Sequence, residues 1–281
     1  MAKKESLANR LAVCSWSLHP KDPADLIGQL KQLGMDKIQL ALGPVLSDPK
    51  WADAGQQLAD AGIRIVSGMF GTVGEDYSTL ETIRRTGGIV PDATWDTNWA
   101  NIRKLVPLAT ALGVRLVSFH AGFLPEDPND PSYDKIVTRL SRIADLFGEA
   151  VIDLAFETGQ EDCRTLRGFL DRLNKSNVGA NFDPANMILY GKGDPVESVK
   201  ALAGYVKSVH VKDALPAATP GAWGKEVAVG TGAVDWVNFF AALNAGKFTG
   251  YLCIEREAGE QRIPDITTAK KFLLNTFAKV K

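Results

Sequence analysis

The chain is predicted to fold as a single (β/α)₈ barrel over residues 1–281. Three observations carry that expectation. Short hydrophobic runs alternate with amphipathic helical stretches along the whole sequence. Four runs in the second half are closed by an acidic or imidazole side chain: Glu157 in DLAFET, Asp183 in VGANFD, His210 in VKSVH and Glu255 in GYLCIE. The gaps between these residues are 26, 27 and 45 positions, so two match one strand-plus-helix unit and the third a unit carrying an insertion. A parallel barrel gathers the C-terminal ends of its strands on one rim, where such residues meet.

The first half supplies the other four strands, LAVCSW (11–16), KIQLAL (37–42), RIVSGMF (64–70) and RLVSFH (115–120). Between them lie helices with recognisable ends. In DPADLIGQLKQLG, Asp22 can cap, Pro23 suits the first turn and Gly34 stops the helix. WADAGQQLADAG and NWANIRKLVPLATALG stop in the same way at Gly62 and Gly113, while DKIVTRLSRIADLFGEA repeats apolar residues three and four apart. DITTAKKFLLNTFAKVK forms the last helix. Two segments exceed what a plain barrel needs, residues 71–95 after the third strand and 214–234 after the seventh. Both leave C-terminal strand ends, where loops build active sites, and the second is expected to cover a substrate with Trp223 at its tip and KEVAV as a short strand.

Side-chain parity supports an inward-facing site. Counting back by twos from the four residues gives Ala155 and Asp153, Asn181 and Gly179, Ser208 and Val206, Cys253 and Tyr251. The opposite parity gives Phe156 and Leu154, Phe182 and Ala180, Val209, Ile254 and Leu252. Successive side chains of a strand point to opposite faces. The large apolar face is therefore expected under the helices, and all four candidates point into the barrel at its rim. Three carboxylates and an imidazole suit one divalent cation such as Mn²⁺, Mg²⁺, Co²⁺ or Zn²⁺.

Composition narrows the classes. Apolar residues make 45% and charged residues 23% of the chain, values of an ordinary globular protein. A net charge of −1 offers no field for a phosphate backbone, so nucleic acid is not an expected partner. No run approaches the length of a membrane span, and the N-terminal residues lack the apolar stretch of a signal peptide. Cys14, Cys163 and Cys253 are odd in number and scattered, which suggests neither disulfides nor a cysteine metal site. The expected setting is cytoplasmic, and the sequence leaves homo-oligomerisation open. GKGDP and GTGAV lack the spacing of a nucleotide loop.

Taken together, Glu157, the FDPAN segment with Asp183, VHVKD with His210, GTGAVDW, and IERE with Glu255 resemble the xylose isomerase-like TIM-barrel superfamily, in particular its sugar isomerase/epimerase branch. The resemblance covers essentially the whole chain. It implies that Glu157, Asp183, His210 and Glu255 bind one divalent metal and that the two glutamates handle the protons of a small-molecule sugar. Ketose 3-epimerases of this branch usually carry a histidine three residues after the strand-six aspartate; here that position is Asn186, which hydrogen-bonds but does not titrate near neutrality. The VHVKD segment looks closer to inosose dehydratases and sugar-phosphate members.

The expected chemistry is removal of a proton next to a carbonyl to give an enediolate. Glu157 and Glu255 on opposite sides of a sugar give epimerisation, one carboxylate returning the proton to the adjacent carbon gives aldose–ketose isomerisation, and expulsion of a β-hydroxyl gives dehydration. The leading expectation is a metal-dependent sugar isomerase or epimerase, with an inosose-dehydratase-type lyase as the alternative. An apurinic endonuclease fits less well, since it needs a histidine-richer cluster and the chain has three histidines. A non-catalytic binder has no need of both glutamates. Substrate contacts are expected from His120 at the end of strand four, Asn186, Lys212 and Trp16, the last as an apolar wall. His120 reads equally as a buried structural histidine, Trp16 nearly as well as core, and Lys212 slightly better as solvent-exposed. Arg256 and Glu257 are expected to form a rim ion pair, and Asn181 to orient Asp183.

Overall fold

All eight strands expected from the sequence form and close into one parallel barrel, in a computed structural model that describes residues 7–219 and 221–280. The strands are β1 (Leu11–Cys14), β2 (Lys37–Ala41), β3 (Arg64–Met69), β4 (Leu116–Phe119), β5 (Asp153–Glu157), β6 (Val178–Phe182), β7 (Val206–Val211) and β10 (Leu252–Ile254). Going round the barrel, the order is β1-β10-β7-β6-β5-β4-β3-β2. Between β7 and β10, β8 (Asp213–Leu215) and β9 (Lys225–Val227) pair antiparallel as a hairpin, so KEVAV does contain a short strand. The first strand is shorter than expected, because Ser15–Leu18 turns into a 3₁₀ helix that brings Trp16 over the barrel mouth.

Helix ends follow the local chemistry. Asp22 accepts from the backbone N–H of Asp25 at 2.8 Å, Pro23 opens the helix Pro23–Leu33, and Gly34 takes the left-handed conformation (φ 60°) that ends it. Gly62 and Gly113 also have positive φ just beyond helices Ala54–Asp60 and Asp92–Ala111. The 71–95 segment is not a plain loop: it contains the helix Leu80–Thr86 and the start of Asp92–Ala111.

The parity reading holds. Leu154, Phe156, Ala180, Phe182, Val209, Leu252 and Ile254 belong to the large core between barrel and helices. Ala12, Cys14 and Cys253 form a separate small cluster, packed by Trp16, Val66 and Tyr251. Beside it the interior turns polar: Gln39 donates to Ser118 Oγ at 2.9 Å, and Ser208 donates to Asn181 Oδ1. Asn181 is thus committed to Ser208 and does not orient Asp183. This layering gives the rim a rigid, hydrogen-bonded floor. Among the described residues no helix is long and apolar enough to cross a membrane.

Candidate metal and sugar site

Glu157, Asp183, His210 and Glu255 meet at the C-terminal rim of the barrel, with ligand atoms all within 4.8 Å of one another and all four residues buried. His210 Nδ1 faces the carboxylates, 3.0 Å from Glu157 Oε1, 3.2 Å from Glu255 Oε2 and 4.0 Å from Asp183 Oδ2. Its Nε2 lies 2.7 Å from Gln39 Oε1. An amide oxygen only accepts, so that bond fixes the proton on Nε2 and aims Nδ1 at the cluster.

Asp183 has two tasks. Its Oδ1 caps the helix Pro184–Leu189 by accepting from the N–H groups of Ala185 at 2.8 Å and Asn186 at 3.0 Å. Oδ2 is left facing the other ligands, without a well-directed hydrogen bond and 3.0 Å from Lys212 Nζ. The FDPAN sequence is thereby accounted for: Phe182 packs outward, Asp183 caps with one oxygen and turns the other to the cluster, and Pro184 starts the turn. Asn186 then donates to Glu157 Oε1 at 3.1 Å. Glu157 Oε2 is also buried without a directed hydrogen bond, 3.3 Å from His120 Nε2. Trp16 does more than wall the site, since its indole N–H donates to Glu255 Oε1 at 2.7 Å.

Lys212 is not solvent-exposed. It is 2% exposed, and its ammonium lies 2.7 Å from Glu255 Oε2, 3.0 Å from Asp183 Oδ2 and 2.9 Å from Glu257 Oε2. The expected Arg256–Glu257 pair does not form. Arg256 instead binds Glu226 at 2.7 Å and Asp265 at 2.9 Å, and Glu257 goes to Lys212. The hairpin is thus tied to the last helix (Arg262–Phe277) by ion pairs.

The electrostatics report a charge deficit. Burial pushes Asp183 up to about 7, against the pull of Lys212 and with help from Glu255 and Glu157. Burial also opposes ionisation of Glu255, but His210 and Lys212 outweigh it and hold that carboxyl well below its ordinary range. Burial likewise acts to raise Glu157, yet His120 and His210 leave it lowered. His210 is raised well above an ordinary imidazole, because Glu255 and Glu157 overcome its desolvation. Three buried carboxylates sharing one lysine and one imidazole leave an excess of negative charge that burial keeps largely desolvated. A divalent cation fits that excess of negative charge, the oxygens of Asp183 and Glu157 that lack a directed hydrogen bond, and the donor set.

Above the cluster opens a cavity of about 540 Å³. Three of the four expected substrate contacts, Trp16, His120 and Asn186, line it, together with Glu255; Lys212 does not. Both long segments contribute, Glu75 and Tyr77 from the first and Trp223 from the second. Trp223 packs edge-on against Tyr190 with centroids 4.8 Å apart, and Tyr77 against His120 at 6.2 Å. Sequence reading missed Gln39, Tyr190 and Asp213. Gln39 has a detectable signal, a polar residue in mid-strand. Tyr190 has none, because a helix end placed it.

The chain matches the family model described as xylose isomerase-like TIM barrel over residues 27–275. It belongs to that family. A xylose isomerase domain protein from Planctomyces limnophilus superposes with a TM-score of 0.85 at 31% identity, covering 90% of this chain and 93% of that one. Inosose dehydratase of Geobacillus kaustophilus is 24% identical over 85% of this chain and 73% of its own length. Two solved structures share the fold at lower identity. One is a Mycobacterium smegmatis barrel in complex with magnesium (TM-score 0.75, 17% identity, 98% and 99% covered). The other is an L-ribulose 3-epimerase (TM-score 0.74, 16% identity, 96% and 95% covered).

Proposed function

We propose that the protein is a divalent-metal-dependent sugar isomerase or epimerase that acts on a ketose or keto-sugar derivative through an enediolate. The observation that carries this reading is the convergence of the Glu157, Asp183, His210 and Glu255 ligand atoms within 4.8 Å beneath a cavity of about 540 Å³. When bound there, a divalent cation supplies a Lewis acid that favours charge on the substrate's carbonyl oxygen. The remaining work falls to the chain. Glu157 and Glu255 approach from β5 and from the end of β10, which are not neighbours in the barrel, so two carboxylates address the substrate from different directions. One takes the carbon-bound proton and the other returns it. Asn186 and His120 fix Glu157, while Trp16 and Lys212 fix Glu255, so neither base must be ordered when the substrate arrives.

Glu157→Gln and Glu255→Gln preserve shape and remove the base. Each is expected to lower kcat by ~10²-fold or more, followed by NMR of substrate and product. Near-normal kcat in either variant contradicts the two-base scheme. A second reading, loss of water from the same enediolate, is supported by the similarity to inosose dehydratase and by Asn186 where ketose 3-epimerases usually carry histidine. The product separates the two: an epimer or aldose–ketose partner for the first, an unsaturated or deoxy sugar for the second.

A further inference from the structure

A second cavity of about 460 Å³ adjoins the first. Trp16, Ala41 and Glu257 line both, so the two spaces meet at the indole that holds Glu255. The far wall is mostly apolar: Pro20, Pro44 and Trp51, with His19 and Arg262 at its edges. Arg262 is occupied, since it donates to the carbonyls of Gly259, Arg256 and Glu257, and so it shapes the edge without offering a free charge. His19 adopts the left-handed conformation that favours glycine (φ 49°), a strained backbone held at the cavity's margin. A ketose ring above the metal ligands has no need of this second space. Tryptophan and proline faces suit the flat apolar face of another ring, as in sugar and aromatic recognition generally.

We infer that the second cavity is a subsite for a second ring, so that the substrate is a glycosylated keto-sugar with its reacting ring over Glu157 and Glu255 and its linked ring against Trp51 and Pro44. This rests on the reading under Proposed function and deepens it by naming the substrate class. The linkage crosses between the two spaces beside Trp16, and Glu257, with a half-exposed side chain on both, can accept from a hydroxyl there. No charged group of the second ring is required.

The test is titration calorimetry of the Mn²⁺-loaded protein with probes that do not react: a hexitol, a disaccharide alditol and an aryl glycoside. A two-ring probe is expected to bind about tenfold tighter than the hexitol. Two variants probe the wall. Trp51→Leu removes the buried ring, and Pro44→Trp fills the mouth from an exposed position. Both are expected to collapse the ratio of two-ring to one-ring affinity towards one. Preference for only one of the two-ring probes identifies the linked ring as sugar or aromatic. Equal affinity for all three probes, or a preference that survives Pro44→Trp, overturns the inference. Failure of the catalytic reading looks different: the affinity gap persists, but no carbon-bound proton exchanges in D₂O.

Discussion

His210 commits both ring nitrogens, one to Gln39 and the other to the carboxylates, and Asp183 commits one oxygen to a helix cap. Each is held by the fold before any ligand arrives, which is what a metal site requires of its donors. Purified protein is expected to carry about one divalent ion per chain, the capacity the four-donor set offers. Asp183→Ala and His210→Ala are each expected to lose it in elemental analysis, with circular dichroism confirming that the variant is folded. Full occupancy in a folded variant removes that residue from the ligand set. That these four side chains converge was legible in the sequence because each ends a strand with the same parity. The partners that orient them were not, since Gln39 and Trp16 come from other segments, and Lys212, although it follows His210 in sequence, meets Asp183 and Glu255 only once the barrel closes. The exposed placement of Lys212 failed for that reason: parity turned it inward, and three carboxylates met it there.

At the level of elements, the strap after β7 is organised by Asp213. Its carboxylate accepts from the N–H groups of Ala214 at 2.9 Å, Gly230 at 2.8 Å, Gly232 at 3.2 Å and Val234 at 3.2 Å, and from the indole of Trp236 at 3.1 Å. A Cβ at Gly232 would lie 2.1 Å from Asp213 Oδ1, so the close approach itself demands glycine. The VHVKD and GTGAVDW segments are therefore two halves of one device that anchors the loop carrying Trp223. Asp213→Ala leaves these donors buried or half-buried without their acceptor, and a loss of about 3 kcal/mol or more is expected. Denaturant titration measures the loss, and amide exchange should quicken at Gly230 and Gly232. Unchanged exchange there contradicts the anchoring role. Sequence reading placed the strap and its short strand correctly but not its anchor, because a lone Asp after a lysine carries no local signal. Helix ends were the most legible elements, since Asp22, Pro23 and Gly34 act on the backbone within a few residues of themselves.

For the molecule as a whole, the barrel brings residues from the ends of β5, β6, β7 and β10 to one rim and leaves a cavity of about 540 Å³ above them. The fold was legible because strand and helix alternate through eight units along the chain and the same parity recurs in the last four strands. The shape of the cavity was not, because Tyr77, Tyr190 and Trp223 reach it from connections whose paths depend on tertiary packing. The central claim is that this rim moves a proton at a carbon beside a carbonyl. Metal-loaded protein in D₂O, offered ketoses, keto-glycosides and inososes and followed by NMR, tests it most directly. The account predicts deuterium at the carbon next to the carbonyl of one substrate class, with exchange abolished in Glu157→Gln or Glu255→Gln. Absence of exchange across the whole panel from protein carrying its full metal complement, with cleavage of abasic DNA in its place, contradicts it.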